Sequence, residues 1–90
     1  MNTLMITFKL DDSPALYPLI SQELKKFSNW AKLSKSMWII RSPYSSSKVR
    51  DILSKTIDRK GEIIVINITD AAWATHRIDK KITEWMKENV

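Results

Sequence analysis

Apolar and polar residues alternate from Thr3 to Leu10, with Leu4, Ile6 and Phe8 on one side and Thr3, Met5, Thr7 and Lys9 on the other. That period of two predicts a strand. The stretch D-D-S-P-A-L follows. Ser13 suits a helix N-cap and Pro14 the first helical position. Leu16, Ile20, Leu24 and Phe27 then recur at helical spacing, which predicts a helix from about Pro14 to Phe27. Pro18 falls in its first turns, where a missing N–H costs little. Between Ser28 and Ser42 the helical period is lost. Two short strands, Asn29–Leu33 and Ser36–Ser42, fit this segment, joined by a tight turn near Ser34-Lys35. Ser45, Ser46 and Ser47 offer caps for a second helix that carries Val49, Ile52, Leu53 and Ile57. The run E-I-I-V-I-N-I-T is apolar without alternation, which predicts a central strand buried on both sides. Ile78, Ile82, Trp85 and Met86 mark one side of a third helix, from about Arg77 to Asn89.

The predicted order is therefore β-α-β-β-α-β-α. Its first six elements are those of the α+β ferredoxin-like, split βαβ fold, in which two helices cover one face of a four-stranded antiparallel sheet. The seventh is an added C-terminal helix. The rival is a three-stranded α/β arrangement with residues 28–42 as one strand and a loop. No internal repeat or linker divides the 90 residues, which make a single domain. Two helices cover only one side of a sheet, so an apolar second side needs a cover of its own. Either a second subunit or the Ile78–Met86 helix supplies it.

Composition narrows the chemistry. The chain has no cysteine, which removes disulfides, thiolate metal sites and cysteine nucleophiles and fits a reducing compartment. It has one glycine, Gly61, too few for a glycine-rich phosphate loop, and one histidine, His76, too few for a histidine metal cluster. No secretory signal or membrane-length apolar run is present, so the expected location is the cytoplasm. The net charge of +5 favours polyanionic partners. Lys32, Lys35 and Arg41 fall among Trp30, Trp38 and Tyr44, a mixture able to hold phosphates and stack bases. The plainer role for such tryptophans is packing. Lys48, Arg50, Lys55, Arg59 and Lys60 crowd the second helix and its exit, partly offset by Asp51 and Asp58. His76 has no partner at a catalytic spacing, and Asp70 reads as a turn residue.

Several segments in order resemble one set of small proteins: the strand L-M-I-T-F-K-L, Trp30 before a hairpin, S-M-W-I-I, the capped helix S-S-S-K-V-R-D-I-L, E-I-I-V-I-N-I-T, and D-A-A-W-A-T before W-M-K-E. The chain resembles the SinR-like group. That group is similar in fold to the CRISPR-associated small endoribonucleases, which also serve as adaptors in spacer integration, and to virulence-associated ribonuclease toxins. The resemblance covers nearly the whole chain and rests on hydrophobic pattern. It implies a homodimer formed by the open face of the sheet, for which Met5, Trp38, Ile40, Ile63 and Val65 are the candidates; pattern alone does not say which of them share a side.

The resemblance also implies a place for a metal. In the nuclease relatives an aspartate ends the first strand and is assigned the divalent ion. Here Lys9 takes that position, and an ammonium group has no lone pair to give magnesium. Asp11 and Asp12 lie two and three residues on, where they suit a turn and a helix start. Three readings follow. The first is a non-catalytic dimer without a cofactor, associating with RNA or DNA or with a nucleic-acid-processing complex through Lys9, Lys32, Lys35, Arg41, Lys48 and Arg50. The second is a magnesium-dependent endoribonuclease with Asp11 or Asp12 as ligand. The third is a protein-binding adaptor or inhibitor from a mobile element.

Overall fold

The computed structural model describes residues 1–10 and 14–90. Ser13 as a cap and Asp11 and Asp12 as ligands fall outside the described residues. Among those described, four strands and three helices follow in the predicted order: β1 (Asn2–Lys9), α1 (Leu16–Lys25), β2 (Asn29–Ser34), β3 (Met37–Ser42), α2 (Ser46–Thr56), β4 (Glu62–Asn67) and α3 (Lys80–Asn89). The strands form one antiparallel sheet in the order β2-β3-β1-β4. This is the ferredoxin-like α+β arrangement with an added helix.

Alternation along β1 sets the core. Leu4, Ile6 and Phe8 point to one side and meet Ile20 and Leu24 of α1 and Val49, Leu53 and Ile57 from α2 and its end. Each of those helices brings a stripe of apolar residues spaced three and four apart to the same side. Ser45 caps α2, its hydroxyl accepting from the Lys48 amide at 3.2 Å. In α3, Asp79 does the same for Lys81 at 2.7 Å. The third helix starts later than its apolar pattern predicts because Asp79, with a ψ of 134°, is its N-cap, and Arg77 just before takes a φ of +59°, outside the right-handed helical region. Asp70, with a φ of +58°, is the turn residue its sequence context predicts. Gly61 is required: at φ +110° a Cβ would lie 2.6 Å from the Lys9 carbonyl oxygen, where β4 begins beside the end of β1.

Two expectations fail. First, β4 is an edge strand, not a central one. Its apolar residues do point both ways, but only Ile63 and Val65 pack on the core, while Ile64 and Ile66 are exposed. An unbroken apolar run reports apolar sides, not neighbours. Second, four of the five candidate dimer residues face the helices. The strand register sets Ile6 against Trp38 and Val65, Leu4 against Ile40, and Phe8 against Ile63. Residues opposite one another share a side of the sheet, so Trp38, Ile40, Ile63 and Val65 lie under α1 and α2 with Leu4 and Ile6. Trp38 and Ile40 have no exposed surface. Met5 alone is on the open side.

The open side has a partial cover, and it is α3. Met86 is buried there, as are Ile39 and Ala31. The last turn of α3 is fixed by polar bonds: Trp85 Nε1 donates to Asn29 Oδ1 at 2.6 Å, Asn29 Nδ2 to Asn89 Oδ1 at 2.8 Å, and the Thr3 hydroxyl to the Asn89 carbonyl. A cleft of about 420 Å³ remains between the sheet, α3 and residues 71–76, lined mainly by Met5, Ile39, Trp73, His76, Met86 and Val90. None of the described helices is long and apolar enough to cross a membrane.

Candidate nucleic-acid interface

The β2 edge carries the charge–aromatic pattern that the sequence suggests, on the helix side of the sheet. Trp30 stands opposite Ile40 and Lys32 opposite Trp38, so both project toward α1. The Trp30 and Trp38 ring centroids lie 5.3 Å apart with planes tilted by 48°. Lys32 Nζ sits 5.6 Å from the Trp38 ring and Lys25 Nζ, from the last turn of α1, 5.7 Å from the Trp30 ring. At the other end of the strand, Lys35 in the β2–β3 turn places Nζ 5.0 Å from the Tyr17 ring, which itself tilts against Phe8 at 5.9 Å. All three distances suit cation–π attraction.

The outcome is a row of three exposed lysines along α1 and β2, held over an aromatic base. From Trp30 to Ser34 the strand advances roughly 13 Å, and Lys35 follows in the turn. No carboxylate lies within 4.0 Å of Lys25, Lys32 or Lys35 among the described residues, whereas Lys26 pairs with Glu23 at 2.7 Å. Trp30 keeps 37% of its surface exposed; Trp38 keeps none. The row thus offers one partly exposed ring for stacking and three exposed lysines whose ammonium groups lie over aromatic rings.

The other predicted basic residues do not join it. Lys9 opens on the opposite side of the sheet, beside Glu62, its cross-strand partner. Arg41 is engaged within the fold. Its guanidinium donates to the Thr3 hydroxyl at 2.8 Å and to the Asn89 carbonyl at 3.4 Å, so it ties the end of α3 to the sheet. A cation at that helix terminus also complements its dipole. Lys48 and Arg50 lie on α2, which packs over β4 at the far side of the helical layer. The Asp51 carboxylate already accepts from Arg50 at 3.0 and 3.1 Å. Tyr44 is at the opposite end of the sheet from Lys35, its carbonyl accepting from Asn2. Lys25 and Tyr17 are the members that sequence reading does not assign to the row. They sit on a helix, and only its packing against the hairpin brings them beside Trp30 and Lys35.

Among the described residues no group of three or more histidine, aspartate or glutamate side chains is placed to hold a metal ion. His76 stands at the rim of the cleft under α3, with no side-chain hydrogen bond to a described residue. No protein-family model matches the chain, and no curated protein matches it.

Proposed function

We propose that this chain is a small non-catalytic protein of the cytoplasm that works as a homodimer and binds nucleic acid, alone or within a nucleic-acid-processing complex. The observation that carries the reading is the lysine row on α1 and β2. Three ammonium groups without carboxylate partners among the described residues, spread from the end of α1 along β2 to the β2–β3 turn, suit a run of phosphates. The exposed ring of Trp30 suits a base lifted from its stack. Together they favour a single strand, RNA or DNA, over a duplex whose bases are already stacked. The net charge of +5 adds long-range attraction. The resemblance to SinR-like proteins, and through them to CRISPR-associated and toxin ribonucleases, supports the same class of partner.

Lys9, standing where the resembling nucleases carry an acid, supports a role without cleavage. The test is a fluorescence-anisotropy titration with single-stranded RNA and DNA across a salt series, followed by incubation with magnesium or manganese. The expected result is saturable binding that weakens steeply with salt, with both strands left intact. Metal-dependent cleavage lost in Asp11→Ala or Asp12→Ala would promote the ribonuclease reading instead.

A further inference from the structure

The two edges of the sheet are built differently. The β2 edge is guarded: its register with β3 shifts between Lys32 and Ser34, it carries Lys32, and α3 is bonded to it through Asn29. Bulges, edge lysines and a covering helix are the usual defences against strand pairing between molecules. Among the described residues, the β4 edge has none of them. It is an unshifted six-residue strand, E-I-I-V-I-N, with a single charge at its first position and no proline. Ile64 and Ile66 are 58% and 45% exposed on the open side, beside Met5. Such an edge is an aggregation hazard unless it has a designated partner.

The backbone phase of β4 says what partner fits. The Ile68 amide donates to the Thr3 carbonyl at 2.8 Å, so residue 68 turns its backbone groups toward β1. Backbone groups alternate along an antiparallel strand. Ile64 and Ile66 therefore also turn inward, and Ile63, Val65 and Asn67 present outward N–H and C=O groups with no backbone partner among the described residues. A second β4, antiparallel and centred on Val65, meets both demands. Val65 then bonds Val65 of the second copy, and Ile63 bonds Asn67 in both directions, which engages every outward group of the strand. On the open side the same register sets Ile64 against Ile66 of the other copy, and Ile66 against its Ile64. Four exposed isoleucines close on one another. On the helix side the half-buried Ile63 and Val65 gain cover. Centring on Ile64 would instead set the carboxylate of Glu62 against Ile66.

We infer that two copies of this chain join through their β4 edges, antiparallel about Val65, into one continuous eight-stranded sheet. The inference rests on the homodimer part of the proposed function and says how the dimer is made. It differs from the face-to-face dimer that the resemblance implies, which would leave the β4 backbone unpaired. It also has a consequence for binding. The β2 edges become the two outer ends of the sheet, roughly 34 Å apart at about 4.8 Å per strand. The like-charged lysine rows are held away from each other, and one strand of nucleic acid can engage both, which raises avidity.

The absence of cysteine gives a clean test. Two variants of the full chain are prepared, one with Ile64→Cys and one with Ile66→Cys, distinguishable by mass. In the proposed register these positions form a non-hydrogen-bonded pair with Cα atoms about 4.5 Å apart, within disulfide reach. Wild-type protein should be a dimer by light scattering at ~50 µM, within the affinity range open to interfaces of this kind. The mixed variants should oxidise mainly to the Ile64→Cys/Ile66→Cys product. Ile64→Lys, on a side chain that is mostly exposed, should keep its circular dichroism and become monomeric. A dimer that gives no mixed product, gives mainly the Ile64→Cys homodimer, or survives Ile64→Lys overturns the edge arrangement while leaving dimerisation standing. A monomeric wild type overturns both.

Discussion

Trp38→Ala is expected to cost about 3–5 kcal/mol, the range for truncating a fully buried tryptophan. Trp38 is the largest side chain in the protein without exposed surface. It lies under α1, opposite Ile6 and Lys32 in the neighbouring strands and against the ring of Trp30. Its removal opens a cavity where β1, β2 and β3 share the core. For a domain of this size total stability is of the order of 5–13 kcal/mol, so the loss is a large fraction of the whole. Trp30→Ala should cost far less, since that ring is partly in water already. Urea denaturation followed by far-ultraviolet circular dichroism separates the two. The expected result is a large fall in midpoint for Trp38→Ala with little change in slope. Equal small shifts for both variants would place Trp38 outside the core and contradict the strand register.

The second large effect is on binding. Replacing Lys25, Lys32 and Lys35 together by alanine should lower affinity for a single strand about 100-fold at 0.1 M salt. The figure follows from counterion release: each phosphate contact on a single strand contributes a salt slope of about 0.7, so three contribute about two decades between 0.1 and 1 M. Near 1 M salt the variant and the wild type should converge. Stability should change little, because all three lysines are exposed. Arg41→Ala is the contrasting control. It should lower stability by about 1–3 kcal/mol, since it leaves the buried Thr3 hydroxyl short of a donor and loosens the end of α3. It should leave affinity for nucleic acid nearly unchanged. If Arg41→Ala abolishes binding in a folded protein and the triple variant binds normally, the interface lies elsewhere.

The elements were legible in the sequence because local pattern controls them. Leu4, Ile6 and Phe8 alternate, Val49 and Leu53 repeat at helical spacing, and Ser45 sits where an N-cap is needed. What depended on neighbours was not legible. The run I-I-V-I is equally apolar in a central strand and in an edge strand with one uncovered side, so β4 was misplaced. The side taken by Trp38 and Ile40 was open until the register tied them to Leu4 and Ile6. Two of the three lysines in the row were readable, because Lys32 and Lys35 lie on the hairpin that holds the tryptophans. Lys25 was not, since nothing within α1 signals that its last turn will meet Trp30. Arg41 looked like a surface cation because its partners, Thr3 and Asn89, are 38 and 48 residues away.

Nuclear magnetic resonance mapping tests the central claim most directly. Isotope-labelled protein is titrated at low salt with a short single-stranded oligonucleotide, and backbone amide and indole signals are followed. The Trp30 indole and the amides of Lys25, Lys32 and Lys35 should shift together and saturate, while Lys9, Arg50 and the residues of β4 stay in place. Saturable shifts confined to α2 or to the open side of the sheet, or no saturable shift at low salt, would contradict the account.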